Sequence, residues 1–211
     1  MIYERLNYGN LHEYLLQRST TVTLYEQRDL TDFLYIAIQV VCGMIYLTEK
    51  DLIHNDLSAR NILISENMNI KITNIACYRR KYNGNYYKVA NRLLPIRWMA
   101  IESVVSGIYN ELSDVWSFGV LLWEIFSYGA LPYSEQTNAQ VLTTIEDQQL
   151  LPCPAQCPKR LYQLMRSCWQ KQSQRRPTFQ ILMQRLRECE DKSTTYSSFS
   201  LPSTTTITPG R

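Results

Sequence analysis

In the stretch "LIHNDLSARNILI", residues 52–64, a histidine, an aspartate and an asparagine fall within one short polar segment between two apolar ones. An aspartate carboxylate can take a proton from an attacking hydroxyl, and an asparagine amide oxygen can ligate a divalent ion. Asp56 and Asn61 are close enough along the chain to reach one phosphate from a single turn. The chemistry such a pair could serve is phosphoryl transfer.

The elements that must position this turn flank it on both sides. Upstream, residues 10–18 read as a short helix. The stretch "LTDFLYIAIQVVCGMIYLTEK" then sets Phe33, Ile36, Ala37, Val40, Val41, Met44 and Tyr46-Leu47 near the spacing of a long core-facing helix, with Thr31 and Asp32 as the expected N-terminal cap. Downstream, "NILIS" and "NIKIT" are short β-branched runs separated by Glu66 and Asn67, the pattern of a small hairpin. Residues 76–95 are polar, rich in Tyr and Asn and without period, so an exposed loop is expected. Helical patterning returns over 112–127, 139–147, 159–169 and 179–190, with Pro132, Pro152, Pro154, Pro158 and Pro177 at the breaks. From residue 191 the chain turns rich in Ser and Thr, "DKSTTYSSFSLPSTTTITPGR", and 191–211 is expected to be a disordered tail.

Composition narrows the function classes. With 211 residues, 45% hydrophobic and 19% charged, the chain can bury one sizeable core and fits one globular domain with an appendage. A net charge of +3 with scattered basic residues argues against a nucleic-acid partner. Six cysteines without a CxxC pair, beside two histidines, argue against a zinc site and for reduced thiols in a cytosolic compartment. The opening "MIYERLNYGNLHEYL" is not a secretory signal, and Glu124 with two glycines breaks the apolar run "VWSFGVLLWEIFSYGAL", which reads as a buried helix rather than a membrane span. A soluble chain is expected, whether or not it is one piece of a longer membrane protein.

Four segments, "HNDLSARN", "LLPIRWMAIES", "ELSDVWSFGVLLWEIFSYGALPY" and "CWQKQSQRRPTF", resemble the C-terminal lobe of a protein kinase in that family's order and spacing. Ala59-Arg60 and Pro95-Ile96-Arg97-Trp98 resemble the tyrosine-specific variants. "YNGNYY" and "QLLPCPAQCPKRLYQLM" are further similar to the receptor tyrosine kinase-like orphan receptor (ROR) family, with muscle-specific and neurotrophin receptor kinases as near relatives. The resemblance implies an α+β protein-kinase-like fold, of which residues 1–190 are the mainly α-helical C-lobe with a small β-hairpin, beginning at the hinge.

By that resemblance ATP and magnesium are the cofactors, Asp56 is the catalytic base, Arg60 belongs to the catalytic loop, and Asn61 is a metal ligand. His54 is structural, Asp114 accepts backbone N–H groups of the loop, and Glu102 pairs with Arg176. "MIYERLNYGNL" resembles the strand and hinge between kinase lobes, with Tyr3 as gatekeeper and Glu4 and Leu6 facing the adenine. Tyr82, Tyr86 and Tyr87 match activation-loop phosphorylation sites. The implied partners are tyrosine kinases, phosphotyrosine-reading adaptors and a kinase N-lobe. The implied place is the cytoplasm, on the cytoplasmic side of the plasma membrane if the chain is part of a single-pass receptor.

The chain also departs from the family's pattern. Asn55 stands where the loop arginine is usual, and Asn74-Ile75-Ala76 stands where Asp-Phe-Gly binds metal, so the second metal position, Asn74, brings no negative charge. No glycine-rich phosphate loop, third-strand lysine or partner glutamate is found in the sequence as given. Three readings follow: an incomplete chain of an active kinase, an impaired kinase-like signalling domain, or a truncated product without function. The expectation is no measurable kinase activity from this chain alone.

Overall fold

The computed structural model describes residues 9–21, 27–74, 87–89 and 92–198, and among them lie seven α-helices and two small hairpins. The run "ELSDVWSFGVLLWEIF" becomes helix α4, Glu111–Phe126, and Ser113 to Phe126 are all buried. A helix buried on every face lies at the centre of the fold, and its polar residues Asp114 and Glu124 must find partners there. Asn110 starts it with a capping box: its side chain accepts the N–H groups of Leu112 and Ser113, while the Ser113 hydroxyl oxygen accepts the N–H of Asn110.

The other helices pack around this axis. Helix α1 is Leu11–Thr21, α2 is Gln27–Glu49, α3 is Ile101–Ser106, α5 is Asn138–Glu146, α6 is Lys159–Cys168 and α7 is Phe179–Ser198. Helix α7 runs along α2, and α6 lies on α4. The α4–α6 approach is close because position 119 is glycine: a Cβ there would stand 2.7 Å from both Cys168 Cβ and Trp169 Nε1. Among the described residues α2 is the one helix long and apolar enough to cross a membrane. Its face of Phe33, Ile36, Ala37, Val40, Val41 and Met44 is buried in the core, against α4, α7 and the hairpin that follows the loop.

That hairpin joins β1, Ile62–Ile64, to β2, Ile70–Ile72, antiparallel, with Ile62 opposite Ile72 and Ile64 opposite Ile70. It rests on α2, where Gln39 donates to the Met68 carbonyl and accepts the Ile70 N–H. The polar loop of residues 52–61 is thus held between the end of α2 and the start of β1.

Three expectations are corrected. Helix α2 begins at Gln27, so Thr31 and Asp32 lie inside it and do not cap it. The acidic residues of this turn serve a side chain instead: Arg18 Nε donates to Asp29 at 2.6 Å, Arg18 pairs with Asp32, and the Tyr128 hydroxyl donates to the other Asp29 oxygen. Helix α7 continues through Ser198, so residues 191–198 are helical in backbone rather than disordered; once a packed helix exists, each added residue closes a further hydrogen bond. Residues 199–211 lie outside the described residues. Within the expected loop of 76–95, β3, Tyr87–Val89, pairs with β4, Arg92–Leu94, strands too short to register as a period. Finally, α3 was not foreseen; it is a short helix closed by Gly107 in the left-handed conformation, φ +63°.

Candidate active site

Two carboxylates of α4 hold the loop's backbone. Asp114, 1% exposed in the first turn, accepts the His54 N–H at 2.7 Å on one oxygen and the Asn55 N–H at 2.9 Å on the other. Burial pushes its carboxyl up to about 6, although both hydrogen bonds favour the charged form. Asn55 sits at φ +66°, a conformation asparagine tolerates better than most residues. Near the other end of the helix, Glu124 accepts the Trp98 indole N–H at 2.8 Å and the Ala59 N–H at 3.0 Å, and burial pushes it up to about 7. The loop is therefore fixed at two points by one rigid helix.

His54 ties the loop to the strand beyond it. Its Nδ1 accepts the Asp56 N–H at 3.2 Å, and its Nε2 faces the Thr73 carbonyl at 3.0 Å. Only the neutral ring with its proton on Nε2 satisfies both contacts, and burial lowers the pKa in the same sense.

Asp56, Arg60, Asn61 and Asn74 form one cluster at the open edge of the loop. Arg60 Nη2 donates to Asp56 Oδ1 at 2.6 Å, and its guanidinium lies 3.9 Å over the Trp98 ring. The Asn61 amide nitrogen donates to the Asp56 carbonyl at 2.7 Å and to Ser58 Oγ at 3.3 Å. Its Oδ1 accepts from the Asn74 amide nitrogen at 2.7 Å, with Asn74 at φ +64°. Thr73 completes the seam by donating both its N–H and its hydroxyl to the Asn61 carbonyl, each at 2.9 Å.

The donor set at this edge does not fit a magnesium ion. A hard divalent cation takes oxygen ligands and gains most from carboxylates. Asn61 already spends its amide oxygen on an N–H, Asn74 turns its amide nitrogen toward it, and the Asp56 carboxylate faces a guanidinium. Among the described residues no three metal-ligating side chains of the His, Cys, Asp or Glu type come together.

Glu102 and Arg176 meet farther out, bidentate, at 2.6 and 2.7 Å. Arg176 also donates to the carbonyls of Leu112 and Gln170 and lies 5.1 Å from the Trp116 ring, so it joins α3, α4 and the segment after α6. Glu4, Leu6, Tyr3, Tyr82, Tyr86, Ile75 and Ala76 lie outside the described residues; Tyr87 opens β3, and its side chain is outside them as well.

Sequence reasoning missed Glu124, Thr73 and the reach of Arg97, which donates to the carbonyls of Pro132, Tyr133 and Gln136 and thereby anchors the segment after β4. A signal for Glu124 existed. A lone carboxylate within "GVLLWEIF" is buried with the helix, and a buried carboxylate needs donors.

Over residues 1–186 the sequence matches the family described as protein tyrosine and serine/threonine kinase. It is 44% identical over 190 residues to the Drosophila melanogaster tyrosine-protein kinase transmembrane receptor Ror, an overlap of 89% of this chain and 27% of that protein. It is 36% identical over 186 residues to the NT-3 growth factor receptor of Gallus gallus, and equally to that of Mus musculus, in each case 83% of this chain and 22% of the relative. The chain spans about a quarter of the length of these curated relatives.

Proposed function

The chain belongs to the protein tyrosine and serine/threonine kinase family, and from that premise we propose that it is the signalling domain of a ROR-like receptor tyrosine kinase whose own phosphoryl transfer is impaired. Protein kinases use ATP and magnesium, and the helical bundle with its hairpin corresponds to the mainly helical lobe of that fold. The observation that carries the reading is the neutral Asn61–Asn74 contact, 2.7 Å long, where phosphoryl transfer calls for a carboxylate.

This chain's own residues retain part of the machinery. Asp56 would accept the proton of an attacking hydroxyl, Arg60 orients its carboxylate, and Asp114, Glu124 and His54 hold the loop in shape. Loss of one preorganised electrostatic group removes about 3 kcal/mol of transition-state stabilisation, roughly 10²-fold in rate. The role that remains is protein recognition. Tyrosine kinases would phosphorylate Tyr82, Tyr86 and Tyr87 in trans, phosphotyrosine-reading adaptors would dock there, and a kinase N-lobe would cover the cleft side. The place of action is the cytoplasmic side of the plasma membrane, with no nucleic-acid partner.

A phosphorylation assay with purified protein, labelled ATP, magnesium, manganese and a tyrosine peptide tests the reading. No turnover is expected above a no-enzyme control, whereas turnover by the wild type sinks it. The surviving Asp56, Arg60 and Asn61 cluster favours one other reading, an active kinase of which this is an incomplete chain; the same assay on the longest transcript product decides it.

A further inference from the structure

We propose that the Asn61–Asn74 amide pair replaces a divalent cation as the link between the loop and the end of β2, so that this edge of the fold is ordered without metal. The inference concerns the same site as the functional reading above and rests on it for the site's identity, but not on the loss of activity.

The orientation of Asn61 is fixed from one side. Its amide nitrogen is committed to the Asp56 carbonyl and to Ser58 Oγ, so its oxygen must face Asn74. Whatever stands across from that oxygen has to be a hydrogen-bond donor or a cation. A carboxylate at position 74 would set oxygen against oxygen, an arrangement that needs a cation between them. The Asn74 amide nitrogen supplies the donor with its own N–H groups, 2.7 Å from Asn61 Oδ1 and 3.3 Å from Thr73 Oγ1.

The rest of the seam uses the same neutral chemistry. Two hydrogen bonds from Thr73 close on the Asn61 carbonyl, and the neutral His54 ring meets the Thr73 carbonyl. The backbone adds a second requirement, because residue 74 takes φ +64°, where asparagine and aspartate are tolerated and alanine is strained. Asparagine meets both needs, the left-handed backbone and the donor. Aspartate keeps the first and inverts the second.

The test is thermal unfolding of the full 211-residue chain with EDTA, with MgCl₂, with MnCl₂, and with NaCl at matched ionic strength. The wild-type Tm is expected to be the same in all four, and Asn74→Asp to melt lower in EDTA by roughly 2–6 °C and to recover saturably as MnCl₂ or MgCl₂ is added. Asn74→Ala is expected to melt lower and to stay indifferent to metal, which keeps the test readable should Asn74→Asp fail to fold. A saturable rise of the wild-type Tm with magnesium or manganese, absent in NaCl, overturns the inference, as does an Asn74→Asp protein that matches the wild type in EDTA. Turnover by a wild type whose Tm ignores metal overturns the functional reading while supporting this one; a metal-stabilised but inactive wild type does the reverse.

Discussion

The loop of residues 54–61 is held from two sides by different chemistry. On the α4 side the holding groups are carboxylates, Asp114 and Glu124, buried and pushed up to about 6 and about 7, each accepting two N–H groups. On the β2 side they are neutral: Asn61, Thr73, Asn74 and the uncharged His54. Burying a carboxyl is costly, and here two are buried where they shape backbone. At residue 74, where the motif resemblance implies a metal-binding carboxylate, the chain carries an amide. The frame that shapes the loop and the edge that seams it to β2 are therefore built from different chemistry.

Breaking the charged frame is expected to have the largest effects. Glu102→Ala leaves the Arg176 guanidinium buried with two carbonyls in place of its carboxylate partner, and a loss of about 3–5 kcal/mol is expected in urea unfolding. Replacing both residues by leucine is expected to lose less than Glu102→Ala, since no buried charge is then stranded. Asp114→Ala strands the N–H groups of His54 and Asn55, for an expected loss of about 2–4 kcal/mol and faster hydrogen exchange at those two amides.

The pH dependence tests the same frame by charge alone. The folded pKa of Glu124, about 7, lies above its ordinary 4.5, so between those values the folded chain holds a proton that the unfolded chain has lost. The stability this contributes is complete below pH 4.5 and is lost as the pH rises through 7. In Glu124→Gln one amide oxygen can still accept from Trp98 and Ala59 without a charge, and that loss should vanish, a difference on the order of 2 kcal/mol between pH 5 and pH 8. Asp114 titrates with the same sign near 6 in both proteins, and the lowered pKa of His54 acts oppositely in both. Subtracting the variant's melting curve from the wild type's isolates Glu124.

The same contrast explains what the sequence made legible. Helices α4, α5 and α6 and the β1–β2 hairpin announce themselves through apolar period and turn residues, because their form follows from local pattern. The meeting of Glu102 with Arg176 and of Asp114 with the loop was suggested by motif resemblance, since each joins residues far apart in the chain. The start of α2 was misplaced because Asp29 answers to Arg18 and Tyr128, partners no local window contains. The Asn61–Asn74 contact was hidden for a similar reason. The sequence shows that position 74 lacks a carboxylate, but only the commitment of Asn61's nitrogen to Asp56 and Ser58 shows that its oxygen needs a donor.

The smallest effect is expected from the carboxylate of the open edge. Asp56 pairs with Arg60 at 2.6 Å, the two side chains 12% and 17% exposed; asparagine at 56 keeps an oxygen for the Arg60 donor, so the charge assistance alone is lost, on the order of 1 kcal/mol. Arg60 keeps its place over the Trp98 ring without it, and Asn61 bonds the backbone carbonyl of residue 56, not its carboxylate. Asp56→Asn should therefore shift Tm by less than about 3 °C. A shift as large as that of Asp114→Ala would mean that Asp56 belongs to the frame, and the division between carboxylate frame and open edge would fail at the edge's own carboxylate. A small shift would leave Asp56 as a carboxylate the fold does not need, retained in the position from which it could take a proton.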